Sequence, residues 1–201
     1  MKDKQDYIKD IAEIRSMMER SSKFLSLSGW AGIMAGVYAL IGVFVAYKIF
    51  HFNPQNIFQP FSDISKIIWL ACLILLLALS TAIFLSYRKA NNKGDKVWNA
   101  ASKQLLMNMA VPLISGGILI LILIINNLIG LIAPFSLLFY GMALYNAGKF
   151  TYQEVKFLGI IEIVLGLICS YFVQFGLLFW ALGFGMFHII YGIYLFFRYE
   201  R

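Results

Sequence analysis

The chain has 201 residues, of which 61% are hydrophobic and 13% charged, with a net charge of +7. Soluble domains run at about 45–50% apolar and about 25% charged, so this excess has no water-soluble core to fill. A soluble enzyme domain, a disulfide scaffold and a disordered tail are excluded, and an integral membrane protein remains.

The chain opens with an arm, residues 1–23, in which Ile8, Ile11, Ile14 and Met18 recur at helical spacing among charged residues. That pattern predicts an amphipathic helix. Its basic residues are nearly matched by Asp3, Asp6, Asp10, Glu13 and Glu19, so it lacks the polybasic excess that marks anionic-lipid binding. The arm reads as a salt-bridged cytosolic helix, or alternatively as a docking site for a cytosolic protein partner.

Residues 24–201 hold six apolar runs, over 24–47, 64–87, 105–125, 128–147, 155–173 and 176–197. Each is long enough to cross hydrocarbon as a helix of about 20 residues. The last four are joined by very short turns, at Asn126-Asn127, Gly148 to Glu154 and Gln174-Phe175, which dictates antiparallel neighbours. The predicted fold is all-α: a polytopic membrane protein of six transmembrane helices in three antiparallel hairpins. Between the first two runs, the segment from Lys48 to Lys66 carries Pro54, Pro60 and four phenylalanines, which suggests a lid or an interfacial segment. His51 and Asp63 lie in it without further ligands, so no metal site is read there. Cys72 and Cys169 sit inside apolar runs and imply no disulfide.

Of the 17 Lys and Arg residues, all but Lys48 and Lys66 fall on one side of this layout. Cytoplasmic loops hold such an excess, so both termini are expected in the cytoplasm. Insertion accounts for the basic balance, and the lipid bilayer rather than nucleic acid is the expected partner.

Within the apolar spans only Glu162 and His188 are strongly ionisable. Each lies three residues after one glycine and four before another, Gly159 and Gly166 around Glu162, Gly185 and Gly192 around His188. At helical periodicity each set shares a face, giving two grooves with one titratable group apiece. Glu162 is six residues beyond Lys156, about 9 Å deep, and His188 ten before Arg198, about 15 Å deep. The pair can lock two helices or serve as a proton or substrate site. Ser115, Tyr145, Asn146 and Tyr191 are candidate neighbours. Ser28, Gly32 and Gly36 form a small-residue ridge for another helix, of this chain or of a second copy in a homo-oligomer.

A weak duplication at an offset of 44 aligns Gly141-Met142 and Gly148 with Gly185-Met186 and Gly192, and Ser115 with Gly159. The stretches GIIEIVLGL and LLFWALGFGMFHIIYGIYLF, with GGILILILIINNLIGLIAPFSLLFYGMALYNAG before them, resemble the two-helix repeat of the HdeD-type bacterial membrane proteins. That resemblance covers the carboxyl-terminal half and implies three hairpins, a bacterial inner membrane and an association with acid or envelope stress, with no catalytic residues to carry over. The arm, IRSMMERSSKFLSLSG, is similar to membrane proteins of Bacteroidetes.

Enzyme chemistry in a membrane needs a nucleophile with its base, a carboxylate pair or a metal cluster. HExxH, GxSxG, CxxC and a phosphate-cradling glycine loop are all missing from the sequence. The expectation is a non-enzymatic protein without cofactor or metal, with a small proton-coupled transporter or channel as the first alternative and a sensor signalling through the arm as the second.

Overall fold

The computed structural model describes residues 23–52, 61–92 and 97–201. The amphipathic arm, the prolines of the first loop, Lys93 and Lys96 lie outside the described residues. The described residues are mostly helical and include no strand. Helix α1 spans Gly29–Ile49 and ends in a π-helical turn, Val45–Ile49; α2 spans Phe61–Asn92 and α3 Ala100–Ile125. Helix α4 covers Ile129–Ala147, α5 Gln153–Tyr171 and α6 Val173–Tyr199. All but α5 are long and apolar enough to cross a bilayer, and α5 falls short only because Glu154, Lys156 and Glu162 sit within it. Helices suit this composition because each satisfies its backbone groups internally, which hydrocarbon demands.

Local chemistry sets the ends. Asn99 caps α3 by accepting from the amide of Ser102 at 2.9 Å, while Ser102 Oγ accepts from the Asn99 amide at 2.9 Å. Asn127, in the turn to α4, takes a positive φ of 55°, a conformation asparagine tolerates. Two boundaries differ from expectation. The first apolar run begins at Phe24, but Phe24 to Ser28 is an extended strap and the helix starts at Gly29. The strap spends its backbone groups on the α4–α5 turn: Phe24 N–H donates to Phe150 O at 2.7 Å, and Thr151 Oγ1 donates to Phe24 O at 2.7 Å. At the other end of the bundle's first pair, α2 runs on to Asn92, so Arg88 and Lys89 are helical rather than in a loop.

The tightest packing follows glycine rather than chain order. Helices α4 and α5 pack most closely, and α6 lies chiefly against α1 rather than against α5, its neighbour in sequence. A Cβ on Gly192 would stand 2.5 Å from both Gly29 O and Ile33 N, and one on Gly141 would stand 2.7 Å from Gly159 O. Backbone meets backbone there, which only glycine permits. Gly32 faces Gly192 and His188, Gly36 faces Gly185, Gly166 faces Pro134 and Leu138, and Gly148 faces Lys156. Ser28 leaves the predicted ridge: it precedes the helix in extended conformation, and Gly29 takes the place on the packing face. The partner of this ridge is α6 of the same chain.

The core gathers at the end where strap and carboxyl terminus meet, from Phe24, Leu105, Leu144, Val155, Leu158 and Leu195. Glu200 ties that end together. Its carboxylate accepts from the Gly29 amide at 2.6 Å and from Ser28 Oγ at 3.4 Å, and pairs with Lys89 Nζ at 2.9 Å. Lys89 also donates to Leu27 O.

Candidate functional site

Glu162 stands in the middle of α5 and is fully buried. The carboxyl group has space because α6 offers Gly183 opposite it: a Cβ there would run into Glu162 Oε2 and lie 2.5 Å from Leu137 Cδ2 of α4. Gly183 belongs to a π-helical stretch, Ala181–Phe187, that ends where His188 begins the final α-helical segment. Such a stretch carries one more residue per turn than its surroundings and turns the following side chain toward a new direction.

His188 uses that placement fully. Its Nδ1 lies 2.9 Å from Gly183 O and 3.4 Å from Glu162 Oε1. A backbone carbonyl only accepts, so Nδ1 carries hydrogen and gives it to the Gly183 carbonyl, with the carboxyl group near but not hydrogen-bonded. Nε2 faces the other way, 3.0 Å from Tyr140 Oη on α4. The neutral ring accepts the tyrosine hydrogen at Nε2, and the imidazolium donates to the same oxygen. Phe184 closes the site on the side away from the basic loops, with its ring 5.0 Å from that of Tyr140 and 5.9 Å from that of His188.

The imidazole is therefore satisfied on both nitrogens, and the carboxyl group is not. Neither oxygen of Glu162 has a hydrogen-bond partner among the described residues, and the same holds for Tyr191 Oη and Glu154 Oε2. A buried polar group left without a partner costs roughly 1–3 kcal/mol of stability, and more when it is charged. A proton, a water or a cation at Glu162 would relieve that cost. Carboxyl, imidazole and phenol each take up and give back a proton, and here they stand in one line across α5, α6 and α4.

The residues expected around the pair fare differently. Tyr191 points into the interior, one turn beyond His188. Ser115 is exposed on α3 and spends its hydroxyl on Val111 O at 2.8 Å, so it takes no part. Tyr145 turns to Lys156, whose Nζ lies 5.0 Å from the ring centroid, and Asn146 stands beside it near the α4–α5 turn. Two site residues escape the sequence reading, Tyr140 and Gly183. The first had a signal: at the offset of 44, Tyr140 aligns with Phe184, an aromatic residue before Gly-Met in both repeats. Gly183 had none, because its role depends on the π-helical turn.

Two larger clefts lie elsewhere. One, about 130 Å³ and lined by Gly42, Ile64, Ile68, Leu177 and Trp180 among others, is apolar; the other, about 1150 Å³, opens between α1 and α6 near Lys48, His51 and Gln174. Neither is lined by Glu162 or His188. Comparison of the chain with protein-family models, with curated proteins and with solved structures gives no match.

Proposed function

We propose that this protein is a multi-pass membrane protein that binds and releases a proton at Glu162, His188 and Tyr140, as a small proton-coupled transporter or channel of the bacterial inner membrane. One observation carries the reading: a fully buried carboxyl group with neither oxygen matched, 3.4 Å from an imidazole nitrogen whose N–H goes to Gly183 O. Packing alone favours a carboxyl group that is hydrogen-bonded, since a half-satisfied polar cluster is less stable than apolar side chains of the same volume. A site that must exchange a proton keeps such a group in spite of that cost. Sidedness rests on the basic residues, all but two of which fall on one side of the predicted layout, and the bacterial inner membrane rests on the HdeD resemblance.

A second reading has its own support. The Tyr140–His188 bond joins α4 to α6, so the cluster also serves as a helix lock in a non-enzymatic protein of HdeD type. Vesicles reconstituted with the full chain separate the two. Glu162→Gln keeps the shape of the side chain and removes its exchangeable proton; the transport reading expects pH-driven flux in the parent protein and its loss in this variant at unchanged melting temperature. Absence of flux in the parent, with a lowered melting temperature in the variant, leaves the lock.

A further inference from the structure

Beyond the three groups of the cluster, the interior holds two more unmatched polar atoms, Tyr191 Oη and Glu154 Oε2. Both lie between the cluster and the end where the strap meets the carboxyl terminus. Tyr191 is three residues beyond His188 on α6, one turn nearer Arg198, and its hydroxyl is buried. Glu154 stands in the first turn of α5, eight residues before Glu162, or about 12 Å along the axis. Its Oε1 accepts from Tyr199 Oη at 3.0 Å and lies 3.2 Å from Arg198 Nη1. The Arg198 side chain is 54% exposed, so this is where the polar interior meets solvent. Buried polar atoms are matched by protein or by ordered water, and one water reaches two such atoms across a gap too long for a direct bond.

We propose that Glu154 and Tyr191 form a proton route from the face bearing Arg198 to Glu162 and His188, with water bridging at Tyr191. This rests on the proton-site reading above. The transfer conserves atoms and involves no redox change. A proton from solvent reaches Glu154, whose carboxyl group passes one on through bridging water and the Tyr191 hydroxyl. Tyr140 gives its hydroxyl hydrogen to His188 Nε2 and takes the arriving one. The imidazole then holds hydrogen on both nitrogens, its charge 3.4 Å from Glu162 Oε1, and the pair has gained one proton. The other titratable groups facing this path are accounted for: Tyr152 donates to Leu25 O, Lys89 lies over the Tyr152 ring and pairs with Glu200, and Lys156 lies over Tyr145. On the far side of Glu162 stand the apolar Leu137, Phe184 and Trp180, whereas Glu154 and Tyr191 lie toward Arg198.

The test is time-resolved infrared spectroscopy on the full chain in vesicles of phosphatidylethanolamine and phosphatidylglycerol after a pH jump. The bands that Glu162→Gln and His188→Gln remove identify the site. Tyr191→Phe and Glu154→Gln are expected to slow the appearance of those bands by about a hundredfold, the lower end of what one positioned proton carrier contributes, with unchanged final amplitude. Tyr171→Phe, an exposed tyrosine at the far end, keeps the parent rate. Tyr191→Phe removes an unmatched hydroxyl and is expected to fold at least as stably as the parent, so it decides the matter if Glu154→Gln folds poorly. A parent-like rate in Tyr191→Phe, or faster response to pH on the opposite face, overturns the route while leaving the site. If Glu162→Gln removes no band, the site falls and the route falls with it.

Discussion

Helices α2 and α3 are the oiliest of the bundle, and they present that oil outward. None of the most apolar stretch of α2 is buried, and Leu75, Leu76, Val111 and Ile114 are all more than 60% exposed. Helices α1, α4 and α6 are less apolar, and α5 carries three charged residues, yet these four enclose the interior. In water the order would be reversed. Lipid tails are as apolar as leucine, so oil gains nothing by leaving them, and burial goes to helices that can approach closely or that have polar groups to match. The two regions are therefore held differently: backbone meets backbone at the glycine seams, whereas α2 sets the Ile74 side chain against Gly42 and adds polar contact through Lys89, which reaches Leu27 O and Glu200.

The largest effect is expected at a seam. Gly192→Leu must force its side chain into the backbone of α1, at more than about 3 kcal/mol, and should leave no monodisperse folded protein in detergent. Recovery of a cooperative melt close to the parent's would show that the seam is not what holds α6 to α1. Next comes the polar tie. Glu200→Ala removes the acceptor of the Gly29 amide and the partner of Lys89, at about 2 kcal/mol, and hydrogen exchange at the carboxyl end of α2 should rise more than at the α4–α5 seam. Equal rises at both would erase the division between the two regions.

A smaller effect has a pH signature. Burial pushes the Tyr152 phenol up to about 12, helped by the nearby Glu200, Tyr199 and Glu154. With the folded value above the ordinary 10.0, its contribution is full below about pH 10 and declines as pH rises toward 12. Thermal melts over that range should lose stability in the parent and less in Tyr152→Phe, which has already lost the bond to Leu25 O. Parallel curves for the two would remove Tyr152 from the tie between strap and turn. The smallest effect belongs to the lipid-facing side. Gly117 on α3 has nothing within 4 Å of its missing Cβ, so Gly117→Ala should be neutral or stabilise by up to about 1 kcal/mol. A loss there matching that of Gly192→Leu would mean α3 has a close partner on that face.

The spans were legible because a continuous apolar run of sufficient length has few alternatives to a helix. Their pairing was less so. A glycine every few residues marks a thin face without naming its partner, and the short α5–α6 turn pointed to a hairpin where α6 in fact leans on α1. The run from Phe24 read as helix because hydropathy is blind to backbone conformation, whereas hydrogen bonds to Phe150 and Thr151 hold the strap extended. Glu162 and His188 stood out as the ionisable groups of the apolar spans, and the structure brings them within 3.4 Å. Tyr140 and Gly183 were hidden, one by looking ordinary in a membrane helix and the other by its dependence on a local change of helix type.

That change of type has a consequence for how the chain tolerates insertion and deletion. An α-helix advances about 100° per residue and the π-helical turn holds one residue more, so winding Ala181–Phe187 regularly at unchanged length would swing the imidazole by roughly that angle, away from the carboxyl group of α5, and deleting one residue as well would bring it back. No ionisable residue would have been touched. The chemistry of the bundle's middle is thus stored partly as a length, in seven residues none of which is ionisable.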